Sequence, residues 1–267
     1  MEAKEFKEKI MKEYPRMEKT DTFKFGCHPG VPCFNKCCND VNIFLTPYDI
    51  IRLKNRLGIT SSEFLEKYTI LPLEENLKHP VVMFRMDDNT LNCRLVGDSG
   101  CTVYDDRPWS CRMFPVGVAS PKVGHGALDK EFYFILNEDV CEGFAHGREW
   151  TIEEWMNDQN VQDYIDMGEM FKEISLHDKF VKGMIKEPIK LEMFYTVCYD
   201  IDKFRDLVFN STFFKRFQVS EENKAIMKKD DVELLKFGYN FLKFSLFGEE
   251  TMELTAEYKQ AFEMRKQ

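Results

Sequence analysis

The sequence predicts an α+β fold in which an irregular cysteine-rich domain, with a small antiparallel sheet and short helices, is followed by a mostly helical C-terminal layer. Three observations predict it. Eight of the nine cysteines lie between Cys27 and Cys141, in a part of the chain rich in turn residues. Short β-prone runs follow residue 81, and beyond Thr151 the chain is rich in Glu, Lys, Met, Leu and Phe. We therefore expect an N-terminal arm or helix at 1–20, the cysteine-rich domain at 21–150 and the helical region at 151–267.

The first part of the chain alternates between loop and helix signals. Residues 23–42 are crowded with Gly, Pro, Asn and Cys, which predicts a loop folded around something other than its own apolar side chains. Thr46 then reads as an N-cap, with Pro47 at the first helical position and Gly58 after an apolar pattern of helical spacing. This pattern predicts a helix over 47–57.

Further elements follow from capping patterns and turn residues. Thr60 and Glu63 form a capping-box pattern that predicts a short helix through about Tyr68. From Val81 the short apolar runs are separated by turn residues, which predicts a small antiparallel meander. Its strands are predicted at 81–86, 91–95, 101–104 and 132–136. Helices are predicted at 152–173, at 189–207 with an interruption allowed for, and at 221–247.

Composition and charge restrict the class of protein. The chain of 267 residues is 43% hydrophobic and 31% charged, which excludes wholesale disorder. A net charge of -9 and a pI near 5.3 argue against a nucleic-acid partner, because such proteins usually concentrate Lys and Arg on one face. The sequence contains neither an export signal nor an apolar run of about 20 residues. We therefore expect a soluble cytoplasmic protein with no membrane partner.

The clustered cysteines fall into two groups by their spacing. The first group is Cys-x5-Cys-x3-Cys-Cys and the second is Cys-x7-Cys-x9-Cys, with one more cysteine 30 residues later. In a reducing compartment such a cluster is more typical of metal ligands than of disulfides, and thiolates are soft ligands that suit zinc or iron–sulfur centres. The predicted metal ligands are Cys27, Cys33, Cys37, Cys38, Cys93, Cys101, Cys111 and Cys141.

The adjacent pair Cys37-Cys38 points to more than one centre, because neighbouring side chains in extended backbone face opposite ways. Eight cysteines divide into two sets of four, which would match two tetrahedral zinc sites or two cubane clusters. None of the spacings is the CxxC of zinc knuckles or the CxxCxxC of bacterial ferredoxins. Irregular spacing suits either metal, so both stay open, with an iron–sulfur cluster of the 4Fe–4S type slightly favoured over zinc.

Two arginines, Arg107 and Arg112, accompany Cys111 in the second group. Four thiolates around a dipositive centre carry a net charge of about -2, so guanidinium groups that donate to sulfur or balance charge would stabilise it. These arginines are therefore predicted to be cofactor-binding residues in addition to the ligands. Cys198 lies alone in an apolar run and is predicted to be an ordinary core residue.

Together these segments resemble the YkgJ-type cysteine-cluster family of zinc- or iron-chelating domain proteins. The residues that carry the resemblance are the eight clustered cysteines, Ile43 to Asp49, Thr102 to Tyr104, Arg107-Pro108, Arg112, Phe114-Pro115 and Gly143. The resemblance spans residues 23–147 and implies metal chelation, with zinc or iron left open. The family's compact pattern is CxxCxxCC, whereas the first gaps here have five and three residues. This wider spacing is also similar to the cysteine module of flagellin lysine N-methylases, which implies an iron–sulfur cluster and a methyl donor.

Two hypotheses about function follow. In the first, the cysteines hold an iron–sulfur centre for redox or metal-handling work, or zinc in a structural interaction module, and the helical region packs on this domain or binds a protein partner. In the second, the cluster supports an enzyme that modifies a protein or a small molecule, for example by methyl transfer. The sequence offers no nucleophile–base pair and no nucleotide-binding loop. This favours the first hypothesis and leaves catalytic residues unassigned.

Overall fold

The computed structural model describes residues 14–72, 77–119, 131–136 and 141–259. Within these ranges the fold is α+β, with short antiparallel sheets and a helical C-terminal part, as predicted. Residues 1–13 of the predicted N-terminal arm lie outside the described residues. The chain forms two compact units: the first contains residues up to 43 together with 86–165, and the second contains 44–85 together with the residues from 166 onward. The predicted domain division at residues 20 and 150 stays a prediction.

The elements alternate along the chain. The strands are β1 (Thr22–Phe25), β2 (Phe44–Leu45), β3 (Thr69–Ile70), β4 (Val82–Phe84), β5 (Val96–Gly97), β6 (Gly100–Cys101), β7 (Val116–Ala119), β8 (Phe132–Ile135) and β9 (Arg148–Thr151). The helices are α1 (Pro47–Leu57), α2 (Ser61–Tyr68), α3 (Trp109–Met113), α4 (Ile152–Asp158), α5 (Gln162–Ser175), α6 (Asp178–Val181), α7 (Pro188–Tyr199), α8 (Ile201–Phe209), α9 (Phe213–Arg216), α10 (Glu221–Met227) and α11 (Asp231–Leu242). Single 3₁₀ turns span Lys36–Cys38, Tyr104–Asp106 and Gly143–Ala145, and a π-helical turn at Lys243–Phe247 continues α11.

The strands pair within each unit and do not form one meander. In the first unit β1 pairs with β9, β5 with β6 and β7 with β8, all antiparallel. In the second unit β4 lies between β2 and β3. The prediction of a single meander was therefore wrong. The strand predicted at 91–95 instead forms isolated bridges, such as the one between Met86 and Cys93. Short apolar runs pair according to the tertiary surroundings of their buried face, which local sequence does not reveal.

Three threonines begin helices where the sequence predicts them. The Thr46 hydroxyl accepts a hydrogen bond from the Asp49 N–H at 3.2 Å, and the Asp49 carboxylate accepts one from the Thr46 N–H at 2.7 Å. Thr60 and Thr151 begin α2 and α4 through the same reciprocal capping box. Each such cap stabilises its helix by about 1 kcal/mol because it satisfies free N–H groups of the first turn. The predictions of α1 and α2 are confirmed.

The long helices predicted for the C-terminal region are interrupted by short polar residues. Asn160, with a φ of 50°, separates α4 from α5. The helix predicted at 189–207 is divided at Asp200 into α7 and α8, and the prediction included such an interruption. The Asp200 carboxylate accepts a hydrogen bond from the Lys203 N–H at 3.4 Å. Asp230 begins α11 by accepting from the Val232 N–H at 2.8 Å. Because such side chains compete for backbone N–H groups, the helices predicted at 152–173 and 221–247 were too long.

Aromatic side chains dominate the core of the first unit. The rings of Phe25 and Trp155 meet edge to face with their centroids 5.5 Å apart, and Trp155 Nε1 donates to the Met113 carbonyl oxygen at 3.1 Å. The other buried members of this core are Phe23, Val116, Tyr133, Ile152 and Val161. Burying a large apolar side chain contributes about 1.5–3 kcal/mol. Because Phe25 lies two residues before Cys27 and Met113 two residues after Cys111, this core anchors segments that carry the cysteines.

The second unit has its own core of fully buried side chains, among them Phe64, Phe194, Phe204 and Leu235. Polar pairs also lie in this interior: the buried Ser61 hydroxyl donates to an Asp200 carboxylate oxygen at 2.6 Å. Of the helices that the structure describes, none is long and apolar enough to cross a lipid bilayer.

Candidate metal centre

The loop that carries the first four cysteines consists of consecutive hydrogen-bonded backbone turns. The Phe34 N–H donates to the Val31 carbonyl oxygen and the Lys36 N–H to the Cys33 carbonyl oxygen, each at 2.9 Å. Asn35 adopts a φ of 68° immediately before the 3₁₀ turn Lys36–Cys38. Asparagine tolerates this left-handed conformation better than most residues. Backbone turns thus hold this loop, and Cys33, Cys37 and Cys38 follow one another closely along it.

Four thiols line one small cavity in the first unit, together with the rings of Phe25 and Phe114. They belong to Cys27, Cys33, Cys37 and Cys141, which we call the first thiol set. The Cys141 thiol lies within hydrogen-bonding distance of the Cys33 thiol, and Cys33 and Cys37 both act electrostatically on Cys27 and Cys141. Cys33 is buried and Cys27 is exposed. The first thiol set therefore extends from the interior of the unit to its surface.

The remaining clustered cysteines are close to one another in the same unit. We call Cys38, Cys93, Cys101 and Cys111 the second thiol set. The Cys93 N–H donates to the Cys38 carbonyl oxygen at 2.7 Å, and the hairpin of β5 and β6 places Cys101 opposite Val96. Cys93 and Cys111 act electrostatically on Cys38, and Cys101 acts on Cys93. All four members are half-buried.

The two sets adjoin at Cys37 and Cys38, which are consecutive residues of one 3₁₀ turn. Their thiols hydrogen-bond to each other. This hydrogen bond, burial and the neighbouring thiols raise the pKa of Cys38 well above its usual value. The sequence predicts two sets of four cysteines without saying which cysteines share a set.

Backbone N–H groups point at four of the eight sulfurs. The Glu142 N–H donates to Cys33 Sγ at 3.1 Å. The other acceptors are Cys93, from Leu95 and Val96, Cys101, from Val103, and Cys141, from Gly143. Burial raises the pKa of these last three thiols, whereas the N–H donors act to lower it. Donors aimed at sulfur stabilise the thiolate, which is the form that binds metals.

Three glycines allow two backbone segments to cross closely beside the first thiol set. The Gly26 N–H donates to the Gly143 carbonyl oxygen at 3.0 Å, and the antiparallel ladder of β1 and β9 leads directly to Gly26 and Gly147. A Cβ on Gly26 would lie 2.7 Å from Gly147 Cα, so the crossing requires glycine. Gly26 precedes Cys27 and Gly143 follows Cys141, so the crossing brings these cysteines together. Gly26 and Gly147 were not identified from the sequence; the dipeptide Gly26-Cys27 could have signalled the first, whereas Gly147 has no cysteine beside it.

Arg107 and Arg112 are buried in the first unit, with exposed fractions of 8% and 5%. Arg107 donates to the Tyr104 carbonyl oxygen at 2.5 Å and to Gln159 Oε1. Arg112 donates to the carbonyl oxygens of Arg107 at 3.1 Å, of Gln159 at 2.7 Å and of Asp105. In the part of the chain that the structure describes, neither arginine donates to a sulfur. Gln159, which contacts both arginines, was not identified from the sequence.

Cys198 lies apart from the eight clustered cysteines. It is 2% exposed in the core of the second unit, where burial raises its pKa well above the usual value, and this agrees with the predicted core role. Across residues 14–72, 77–119, 131–136 and 141–259, no three Cys, His, Asp or Glu side chains converge closely enough to hold a single ion directly. The thiol sets are therefore spread groups and not tightly closed tetrahedra.

Comparison with known proteins identifies the cysteine-rich part of the chain. Residues 26–142 match the family model CxxCxxCC, which is described as "Putative zinc- or iron-chelating domain". No curated protein and no solved structure matches the chain. The matched range contains both thiol sets and both buried arginines. This match agrees with the resemblance to the cysteine-cluster family of zinc- or iron-chelating domains over this part of the chain.

Proposed function

We propose that this protein binds metal through two adjacent centres of four thiolates each, one at the first thiol set and one at the second. The observation that carries the proposal is the contact pattern. Cys27, Cys33, Cys37 and Cys141 line one cavity, whereas Cys38 interacts with Cys93 and Cys111 in addition to its neighbour Cys37. Two sets of four match the ligand number of zinc sites and of cubane clusters alike.

The surroundings of the sulfurs fit thiolate ligands. Five backbone N–H groups donate to four sulfurs, an arrangement that stabilises negative charge on sulfur. Phe25 and Phe114 border the first set and give it an apolar wall. Free thiols in a core need none of these donors, so the N–H groups favour a ligand role for the cysteines over a packing role.

We further propose that the centres are iron–sulfur clusters of the 4Fe–4S type. A zinc ion with Zn–S bonds of about 2.3 Å draws its four sulfurs within about 4 Å of one another, whereas each thiolate of a cubane binds a different corner of the cluster. None of the cysteine spacings is the CxxC of zinc knuckles, which favours the cluster over zinc.

An iron–sulfur cluster, when bound, exchanges single electrons. The cysteine thiolates would hold it, and the backbone N–H donors would stabilise the charge on these ligands. We propose redox or metal-handling work in the reducing cytoplasm, where thiolates stay available. We do not propose methyl transfer, because no contact among the described residues favours it. A protein partner for the helical region stays a prediction.

Metal analysis of the protein purified without oxygen tests this function. We expect iron and acid-labile sulfide in about equal amounts, about eight of each per chain, with broad visible absorption that bleaches on reduction. Colourless protein with about two zinc ions per chain would overturn the iron–sulfur assignment but would still support two centres of four thiolates each. Protein that contains no metal and binds neither iron nor zinc through its thiols would overturn the proposed function as a whole.

A further inference from the structure

We propose that a groove of the second unit binds a peptide segment of a partner protein, in which apolar side chains lie next to a basic one. The groove lies between α10 and α11 and has a volume of about 350 Å³. Ligand sites in proteins have volumes of about 300–1,000 Å³. None of the residues that line this groove is a cysteine. The inference is therefore independent of the metal centres and goes beyond the proposed function.

Two helices form the long walls of the groove. Side chains three or four residues apart lie on the same face of a helix. The lining residues of α10 have this spacing, and they are Asn223, Ile226 and Met227. Those of α11 have it too, and they are Glu233, Lys236, Phe237 and Asn240. One face of each helix therefore borders the groove.

The segment that follows α11 forms a third wall. Its residues 251–253 line the groove, and two hydrogen bonds hold them in place. The Thr251 hydroxyl donates to the Asn240 carbonyl oxygen at 2.7 Å, and the Gln218 N–H donates to the Glu253 carbonyl oxygen at 2.8 Å. Because the walls are fixed before a ligand arrives, little ordering of the protein would oppose binding.

Apolar side chains provide the contact surface inside the groove. Met227 is 4% exposed, and the Phe237 ring is fixed edge to face against Phe213 with their centroids 5.8 Å apart. Ile226 lies beside them on the same helix face as Met227 and is 44% exposed. An apolar side chain of a ligand that covered Ile226 would remove apolar surface from water, which favours binding.

Three carboxamide side chains, those of Gln218, Asn223 and Asn240, lie at the exposed rim of the groove. Within the described residues, none of these side-chain amides forms a hydrogen bond. A carboxamide both donates and accepts, as the peptide groups of an extended chain do. The exposed rim also leaves the groove open, whereas small molecules are usually enclosed over most of their surface. Both features favour a peptide over a small molecule.

The charges along the groove select a basic side chain in the ligand. Lys236 Nζ lies 2.8 Å from Glu233 Oε1, so these two charges neutralise each other. Glu253 is exposed, and its carboxylate forms no ion pair with any residue that the structure describes. The lining therefore carries one net negative charge. A lysine or arginine of the peptide beside Glu253 would complement it.

Selection of random short peptides displayed on phage, with the full chain as the target, tests the inference. We expect the enriched peptides to share apolar residues beside a lysine or arginine. Ile226→Ser should weaken their binding, measured by fluorescence anisotropy, by at least about 10-fold, the effect of losing a central apolar contact. Glu253→Gln should weaken it by about two- to fivefold, the range for an exposed ion pair, and by less at high salt.

The matched controls are Ile189→Ser, at an isoleucine that is 76% exposed, and Glu257→Gln, at an exposed glutamate. Neither residue lines the groove, so both variants should bind the peptides as the original protein does. The proposal is overturned if no peptide is enriched, or if the enriched peptides bind Ile226→Ser with unchanged affinity. It is also overturned if 2-phenylethylamine, an apolar amine without a peptide group, binds as tightly as the peptides. Each of these results leaves the proposed metal centres standing, and protein without metal leaves this groove standing.

Discussion

Gly147→Ala is expected to destabilise the first unit by about 3 kcal/mol or more and to remove metal from the first thiol set. Gly147 has a φ of 82°, a conformation that alanine rarely adopts. An added Cβ would overlap the Phe25 carbonyl oxygen and lie 2.6 Å from the Gly26 nitrogen. Both obstacles are backbone atoms that no side-chain rotation can relieve, so the segments carrying Cys27 and Cys141 must separate. Urea unfolding of the metal-free chain and metal content per chain measure the two effects.

Gly168→Ala is the matched control for this substitution. Gly168 lies inside α5, and a Cβ built there meets nothing within 4 Å. Alanine in a helix interior is favoured over glycine by about 0.5–1 kcal/mol, so this variant should be as stable as the original protein or slightly more stable, with full metal content. An unfolding midpoint for Gly147→Ala equal to that of Gly168→Ala would contradict the close backbone crossing.

Cys111→Ser is expected to reduce the metal content to about half, because it removes a ligand of the second thiol set and leaves the first intact. A serine hydroxyl is a poor substitute for a thiolate with soft metals. Iron and zinc per chain, measured on protein purified without oxygen, report the loss. The expected remainder is one centre per chain.

Cys198→Ser is the control for general effects of losing a thiol. Cys198 is fully buried in the second unit, so placing a hydroxyl there should lower stability by about 1–3 kcal/mol without changing the metal content. Equal metal loss in Cys198→Ser and Cys111→Ser would mean that the metal site lies elsewhere. Full metal content in Cys111→Ser would exclude Cys111 as a ligand.

Features that depend on neighbouring residues could be predicted from the sequence. The capping boxes that begin at Thr46, Thr60 and Thr151 act over three residues, and each helix begins where its threonine predicts. The family resemblance was likewise carried by residues close together in the chain, and the matching domain confirms it. The interruptions at Asn160 and Asp230 were missed because helix propensity over a long window outweighed single polar residues.

Features that depend on distant contacts could not be predicted. Cys141 lies beside Cys33 and Cys37 because β1 pairs with β9 across more than 120 residues and because three glycines permit the close crossing. The spacing of the cysteines in the sequence does not reveal this pairing. The spacing pattern groups Cys37 with Cys38, and their thiols do contact each other, but Cys37 also lines the cavity of Cys27, Cys33 and Cys141 whereas Cys38 interacts with Cys93 and Cys111. In the same way Arg107 and Arg112 look equivalent in the sequence and differ only in what their guanidinium groups contact.

Counting the metal centres in two double variants by native mass spectrometry tests the grouping of the cysteines most directly. Each variant lacks Cys37 and one further cysteine, so both lose two thiols. Cys27→Ser with Cys37→Ser removes two ligands of the first thiol set, and we expect one centre to remain. Cys37→Ser with Cys93→Ser removes one ligand from each set, and we expect none to remain at full occupancy. Equal numbers of centres in the two variants would contradict two separate sets of four thiolates.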